Sequence, residues 1–239
     1  ALFEYKISEN VAASFSAEWL NASGKYKFRY RRVNPAGEIA YDTTAVRENG
    51  DINATRLEAG LYGTIERGTW NAKVYNYNSE RGIPGAIVNN VWRRGERVWD
   101  TNSFFQGSFV KEVNDQFKTQ VNAKYAFYRT HYVNNDDKLI EVDNLYKQRE
   151  VYVSTANMYT IFPFWDVSMS YDFQWNEMKA DMYGFVFPTR FTNLLSIATA
   201  LRLGKVKLQG SGLATFVNDR VKEGPAPKAR QILTPCLLY

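Results

Sequence analysis

The sequence predicts an all-β fold, an antiparallel transmembrane β-barrel to which this chain contributes about ten strands, and three observations support it. Apolar and polar residues alternate over long segments, as they do where a strand has one face in lipid and one in water. The connections alternate between turns of a few residues and loops of roughly ten to twenty, which is the asymmetry of short periplasmic turns and long external loops. Tryptophans fall near predicted strand ends, where interfacial girdles lie.

Composition excludes several other classes of protein. The chain has 239 residues and a mean hydropathy of −0.43, and no apolar run approaches the ~18 residues that a membrane helix needs. Its one cysteine, Cys236, forms no internal disulfide, and its one histidine, His131, argues against a metal site or a catalytic triad. The net charge of +5 is scattered along the chain. We therefore expect no enzyme, no cofactor, no metal and no nucleic-acid partner.

The hairpin from Val98 to His131, with its turn at Val113–Gln116, shows the repeating unit best. Side chains on a strand alternate between its two faces. In the second arm one face is apolar and the other polar. The apolar face consists of Phe117, Thr119, Val121, Ala123, Tyr125 and Phe127. The polar face consists of Lys118, Gln120, Asn122, Lys124, Ala126 and Tyr128. The first face suits lipid and the second suits water.

The N-terminal part predicts a hairpin whose second arm is strongly basic. A strand over residues 11–19 is followed by a turn at Asn21–Gly24 and a return arm. On that arm Tyr26, Phe28 and Tyr30 oppose a basic face of Lys25, Lys27, Arg29 and Arg31. Four like charges cannot enter a dry core without partners, so they could line a watery lumen or lie on a solvent-facing sheet. We expect the lumen, with Glu58 or Asp172 as partners. A long polar loop is predicted from Asn34 to Asp51.

The middle of the chain predicts further hairpins. Residues 56–65 and 70–74 alternate on either side of a tight turn at Glu66–Gly68, and a second long loop is predicted from Tyr77 to about Arg97. After the Val98–His131 hairpin, a third loop is predicted from Asn134 to Asn144.

The remaining strands follow the same alternation. Strands are predicted at 150–158, 167–176, 191–201 and 206–216, with turns at Ile161–Trp165 and Gly204–Lys205 and a loop from Lys179 to Pro188. No further strand is predicted after Phe216. The C-terminal end is therefore expected to be a truncation, and its last residues a frameshifted tail.

A family resemblance rests on one segment. Residues 78–87 read Asn-Ser-Glu-Arg-Gly-Ile-Pro-Gly-Ala-Ile. This segment resembles a stretch in the barrels of TonB-dependent outer-membrane receptors, especially those of Bacteroides-like bacteria. Residues 92–94, 106–109 and 124–126 are similar to the same group. The motif loop consists of Ser79, Glu80, Arg81, Gly82, Ile83, Pro84 and Gly85.

The resemblance implies a function and a set of partners. Receptors of this family have a 22-stranded barrel closed by a plug, and they take up siderophore-iron, haem, cobalamin or glycans with energy supplied through TonB. Residues 1–239 would then be part of one barrel domain in the bacterial outer membrane, without the plug and the remaining strands. The implied partners are outer-membrane lipid and lipopolysaccharide, the TonB complex through the missing N-terminal part, a small-molecule or metal-chelate ligand, and a surface lipoprotein.

The densest basic and aromatic cluster is the candidate ligand-binding site. It consists of Trp92, Arg93, Arg94, Arg97 and Trp99. Arginines form bidentate hydrogen bonds with anions, and tryptophans stack on ligands. The alternative, which we favour, is a solvated loop that contacts lipopolysaccharide or neighbouring loops.

Two weaker candidates remain. Asp136, Asp137, Glu141 and Asp143 could bind Ca²⁺, but their spacing matches no EF-hand. His131, near a strand end, fits a girdle residue better than a ligand-binding one.

Two alternative functions stay open. The first is a small passive porin or adhesin barrel, which an upstream plug-coding sequence would exclude. The second is a soluble β-rich carbohydrate-binding protein, which would stay monodisperse without detergent.

Overall fold

The computed structural model describes residues 1–85, 95–135 and 141–238. These residues form thirteen strands, which confirms the all-β prediction. The strands are β1 (Leu2–Ser8), β2 (Val11–Ala22), β3 (Tyr26–Val33), β4 (Ile39–Arg47), β5 (Ile52–Ile65), β6 (Gly68–Ile83), β7 (Glu96–Glu112), β8 (Phe117–Asn134), β9 (Val142–Phe162), β10 (Trp165–Ala180), β11 (Thr189–Leu203), β12 (Val206–Arg220) and β13 (Arg230–Leu238). Within this part of the chain, no helix has the length and apolar character needed to cross a membrane.

Eleven of the strands form one antiparallel sheet. Its order is β1-β2-β5-β6-β7-β8-β9-β10-β11-β12-β13, and β3 pairs with β4 in a separate two-stranded sheet. From β5 to β13 each strand lies beside its neighbours in the chain, as in a meander. In the described residues β1 and β13 stand at opposite edges and do not pair, so the sheet is open.

The strand register joins the apolar residues of neighbouring strands into rows on one face, which we call the outward face. Directly paired residues share a face of the sheet. One outward row, in order across ten strands from β1 to β12, is Phe3, Phe15, Ala59, Val74, Phe105, Tyr125, Val151, Trp175, Phe191 and Asn218. The rows on the other face are mainly polar. This confirms the predicted faces of β8 and the alternation predicted for β2, β5, β6, β10 and β12.

The polar face is the more buried of the two. Apart from glycines, the buried residues of the main sheet all lie on it; they are Ala54, Ser79, Val98, Ala126, Asn134, Ser154, Ala180 and Asp219. On the outward face Phe3, Val74 and Phe105 are 64%, 53% and 51% exposed. Among the described residues no large side chain is fully buried. The sheet therefore has no hydrophobic core, and its apolar face is the one left uncovered.

The short turns lie at one end of the sheet, as predicted. They join β5 to β6, β7 to β8, β9 to β10 and β11 to β12. Arg67 and Gly204 adopt positive φ, 54° and 62°, in two of these turns. The connection from Ala180 to Thr189 also agrees with the prediction.

Two of the predicted long loops are shorter than expected, because the flanking strands continue into them. β6 extends to Ile83, so the motif predicted as a loop lies mostly within a strand, and β7 begins at Glu96. β8 likewise extends to Asn134, and β9 begins at Val142. These strand ends carry polar residues on both faces, so they lack the alternation from which strands were predicted.

The pairing predicted for the N-terminal hairpin is wrong. β2 pairs with β1 and β5, and β3 pairs with β4, which lies in the predicted loop from Asn34 to Asp51. Lys25, Lys27, Arg29 and Arg31 therefore do not line the polar face of the main sheet. A basic strand face can be solvated on a protruding hairpin as well as in a lumen, and the alternation alone does not separate these cases.

An ion pair joins the two strands of the β3–β4 hairpin. Arg29 donates two hydrogen bonds to the carboxylate of Asp42, at 2.8 and 2.5 Å. The bond from Arg29 holds the pKa of Asp42 below its ordinary value of 3.8. At the base of the hairpin Gly24 adopts a φ of 57° and lies against Gly50, where a Cβ atom would be 1.9 Å from the Gly50 carbonyl oxygen. Only glycine fits this close backbone approach.

Two edge strands were not predicted. β1 pairs with β2, from Leu2 opposite Ser16 to Ser8 opposite Val11. β13 pairs with β12, so the prediction that no strand follows Phe216 is wrong. Each edge strand is short, at 7 and 9 residues, which gives the alternation few periods in which to show.

Candidate functional site

The polar face of the main sheet carries a compensated network of charges. Glu58 on β5 pairs with Lys73 on β6 at 2.7 Å. Lys124 on β8 pairs with Glu150 on β9 at 3.1 Å and donates to the Tyr128 hydroxyl at 3.2 Å. Because each of these lysines is paired with a glutamate, this part of the polar face should favour neither anions nor cations.

The network continues across β9 and β10. The Tyr152 hydroxyl donates to Asp172 at 2.8 Å, and Asn122 donates to the Ser154 hydroxyl at 3.0 Å. Glu58 and Asp172 were predicted as partners of the basic face of β3, and this prediction is wrong. Their partners are Lys73 and Tyr152, which lie on adjacent strands of the main sheet.

Arg97, the described arginine of the predicted ligand cluster, is already engaged at the loop end of the outward face. Its guanidinium donates to both oxygens of Asp51 at 2.9 Å and to Glu80 at 2.6 Å. Its side chain is 26% exposed. Because two carboxylates neutralise this guanidinium, the contacts match a structural role and leave little positive charge for an anionic ligand.

Trp99 and His131 form a second cluster beside Arg97. The rings of Trp99 and His131 stack with centroids 5.2 Å apart, and His131 Nε2 lies 2.6 Å from Asp143. Trp99 and His131 are paired on the outward face. The girdle role of His131 stays a prediction.

Several predicted site residues lie outside the described part of the chain. Trp92, Arg93 and Arg94 are among them, so the predicted five-residue ligand cluster is represented by Arg97 and Trp99. Asp136 and Asp137 of the acidic candidate also lie outside it.

The described part of the acidic candidate does not gather ligands. Glu141 is exposed, and Asp143 contacts His131. Among the described residues no group of three or more histidine, cysteine or acidic side chains could hold a metal ion.

The motif predicted as a loop works as a structural anchor at the end of β6. Arg47 donates to the carbonyl oxygen of Pro84 at 2.5 Å and to that of Gly85. Asn49 donates to the carbonyl oxygens of Ile83 at 3.0 Å and Glu96 at 2.8 Å. The segment that leaves β4 is thus joined to both β6 and β7.

Within the motif, alternate residues face opposite sides. Ser79 is buried on the polar face, and Arg81 pairs there with Asp100 at 3.3 Å. Gly82 lies on the outward face, where its N–H donates to the Asp51 carbonyl oxygen at 2.9 Å. A Cβ atom at Gly82 would be 2.3 Å from Asn49 Oδ1 and 2.6 Å from the Asn49 carbonyl oxygen. The glycine of the motif therefore permits this close contact.

Sequence reasoning missed Asn49 and Asp51, which organise this anchor. Both lie in a segment read only as a polar loop, although Asn49-Gly50 is a turn signal. Asn49 adopts a φ of 60°, a conformation that asparagine tolerates better than most residues.

Comparisons with known proteins bear on the fold and not on the geometry of this site. No protein-family model and no curated protein matches the sequence. A crystal structure of the ferric citrate transporter FecA in the unliganded form does match, with a TM-score of 0.57 over 98% of this chain. The fold resembles part of an outer-membrane transporter. The identity is 11%, so the likeness concerns the fold alone, and the match spans 40% of the FecA chain.

Proposed function

We propose that this chain forms part of the barrel wall of a TonB-dependent receptor in the bacterial outer membrane. One observation carries the proposal: the exposed face of an eleven-stranded sheet is apolar and its more buried face is polar. A soluble protein of this size buries its apolar side chains, whereas a transmembrane barrel turns them toward lipid. The likeness to the FecA fold supports the same conclusion.

The orientation in the membrane follows from the connections. The short turns would lie in the periplasm and the longer connections outside the cell. The β3–β4 hairpin and the anchor formed by Arg47 and Asn49 would then lie at the external end. The anchor joins β4 to β6 and β7, so it would hold the hairpin at a fixed angle to the barrel rim.

The proposed activity is uptake of a scarce ligand, without enzymatic chemistry on it. The candidates are siderophore-iron, haem, cobalamin or a glycan, as the resembled family implies. The compensated charges of the polar face would line a lumen that contacts a plug or a hydrated ligand. The TonB complex, acting through a plug segment, and a surface lipoprotein are the further proposed partners.

The test is the location, mass and energy dependence of the native protein. We expect it in the outer-membrane fraction, at an intact mass well above 27.6 kDa, with ligand uptake that stops when TonB is removed. A mass of 27.6 kDa in that fraction, with uptake unaffected by TonB, would replace this proposal with a passive barrel. Absence from the membrane would contradict both.

A further inference from the structure

Aromatic side chains line the polar face of the main sheet at its loop end. They lie on four adjacent strands, β6 to β9, and all of them are half-buried. We call this surface the tyrosine wall; it consists of Tyr75, Tyr77, Phe104, Tyr128, Tyr146 and Tyr152. Tyr146 and Tyr152 are six residues apart on β9, so the wall extends about 20 Å along the strands. This length suits an extended ligand better than a compact one.

The polar face changes character directly below the wall, toward the short turns. The first row there consists of Asn71, Ser108, Asn122 and Ser154. In the next row Gln120 is paired with Ala156. A general preference of tyrosine for strands would place rings along the whole height of the face. Their concentration at the loop end therefore points to a role at the external entrance of the proposed lumen.

Contacts within the wall hold its rings in fixed orientations. The rings of Tyr75 and Phe104 stack with centroids 4.7 Å apart and planes 13° from parallel. The ammonium group of Lys124 lies 5.6 Å from the centroid of Phe104 and 5.9 Å from that of Tyr128. Rings that are held in this way lose less conformational freedom when a ligand binds, which favours affinity.

Amide side chains lie between the rings. Asn102 is paired with Tyr77 on one side and Tyr128 on the other, and Gln148 continues this row on β9. Each amide both donates and accepts hydrogen bonds, and a tyrosine combines an apolar ring with a polar hydroxyl. A sugar has the complementary surface, since its C–H groups form apolar patches and its hydroxyl groups donate and accept.

The charged groups around the wall are paired with one another. Besides the two lysine–glutamate pairs described above, Arg81 pairs with Asp100 at 3.3 Å, and the Tyr132 hydroxyl donates to Glu96 at 3.1 Å. An anionic chelate is bound best by cations that direct their hydrogen bonds at it. It would have to break these pairs, whereas an uncharged ligand rich in hydroxyl groups leaves them intact.

We propose that the tyrosine wall binds an uncharged linear oligosaccharide as it enters the lumen. This inference rests on the proposed function and selects the glycan among its candidate ligands. The ring faces would stack on the C–H patches of successive sugars, and the amides would exchange hydrogen bonds with sugar hydroxyl groups. Because no net charge is involved, binding should not depend on salt concentration.

The first experiment measures ligand binding to the wild-type, full-length protein by titration calorimetry in detergent. The uncharged linear probes are oligosaccharides of the maltose, cellulose, mannan and xylan types. Ferric citrate is the anionic comparison and cobalamin the compact one. We expect at least one oligosaccharide to bind with an affinity that salt does not change, and neither comparison ligand to bind. Binding of ferric citrate or cobalamin instead, or of no oligosaccharide, would overturn the proposal.

The second experiment removes rings from the wall. Tyr77→Ala with Tyr128→Ala removes the two rings beside Asn102. The matched control, Tyr62→Ala with Tyr159→Ala, removes two tyrosines near the short turns. We expect at least about tenfold weaker oligosaccharide binding in the first variant and no change in the control. Tyr77→Phe with Tyr128→Phe keeps the rings and should retain most of the affinity. Equal binding by the alanine variant and the control, or equal losses with alanine and phenylalanine, would overturn the proposal.

Three outcomes separate this inference from the proposed function. Absence of the wild-type protein from the outer membrane contradicts the proposed function. Presence there, with oligosaccharide binding that the alanine variant retains, contradicts this inference alone. If that variant also exposes its plug to protease, the wall contacts the plug and not the ligand. Heat-modifiable migration on gels checks that each variant is folded, and the ligand series on the wild-type protein tests the proposal without any substitution.

Discussion

Nearby residues of one strand can lie on opposite faces of the sheet, as two positions on β10 show. Phe173 is paired with Val153 and Asn193 on the outward face. Ser170 is paired with Ala156 and Ser196 on the polar face. Because the two positions are only three residues apart, they lie on opposite faces of the sheet but at similar depth in the proposed membrane.

Phe173→Arg should impair barrel assembly, whereas Ser170→Arg should be tolerated. A charge at the lipid midplane costs roughly 2–4 kcal/mol, while an arginine on a polar lumen face stays solvated. Heat-modifiable migration on gels, which distinguishes folded from unfolded barrel, measures the outcome for both variants. Equal tolerance of the two substitutions would show that the faces are assigned wrongly.

Gly82→Ala should destabilise the anchor at the external end. The added methyl group would overlap both oxygens of Asn49, so the backbone must shift, at a cost of about 1–3 kcal/mol. Gly212→Ala is the matched control, because no atom lies within 4 Å of the corresponding Cβ position in β12. Urea unfolding of the protein in lipid vesicles compares them, and similar midpoints would mean that the close contact is unimportant.

The roles of individual site residues could mostly not be predicted from the sequence. Arg97 was singled out by its basic and aromatic neighbours, but its partner Asp51 is 46 residues away in the chain. Ion pairs between such distant residues depend on strand register, which alternation does not specify completely. Gly82 was recognised as part of a motif. A glycine is needed there because Asn49, from a distant segment of the chain, approaches closely.

At the scale of elements, the β3–β4 hairpin stands apart from the main sheet. Its strands pair with each other, and in the described residues neither pairs with a strand of the main sheet. The hairpin is joined to the sheet at Gly24, Gly50 and the Arg47 and Asn49 contacts. In the proposed receptor it would therefore contribute little to the stability of the barrel wall and would be free to contact ligand outside the membrane.

Replacing residues 28–45 by Asn-Gly should leave barrel assembly intact. The replacement closes the hairpin at the Lys27–Val46 pair with a favoured two-residue turn and keeps the anchor residues. Heat-modifiable migration should persist, while ligand uptake should fall if the hairpin contacts ligand. Removing residues 101–129, the body of the β7–β8 hairpin, is the control and should abolish assembly. Loss of assembly in the first variant would contradict the separation of the two sheets.

Elements were predictable where one face is apolar and the other polar. β2, β5, β6, β8, β10 and β12 were found by this alternation. β4 and the outer ends of β6 and β9 were missed because their apolar and polar residues do not separate onto two faces. The edge strands β1 and β13 were missed because few residues carry their pattern.

At the scale of the whole molecule, the usual distribution of polar and apolar side chains is inverted. Polar side chains are sheltered and hydrogen-bonded, and apolar side chains are exposed in continuous rows. The sequence was sufficient for this conclusion, since it follows from alternation and from the lengths of the connections. The number of strands in the complete barrel and the ligand depend on contacts that alternation does not encode.

The measurement that tests this inversion most directly is a nitroxide scan of β8 in outer-membrane vesicles. Cys236, which is exposed, is first replaced by serine, and single cysteines are then introduced for labelling. Labels at residues 121, 123 and 125 should collide with oxygen dissolved in lipid. Labels at residues 120, 122 and 124 should collide with a water-soluble nickel chelate or be shielded from both reagents. Equal access of the nickel chelate to all six positions would contradict a lipid-facing outward surface.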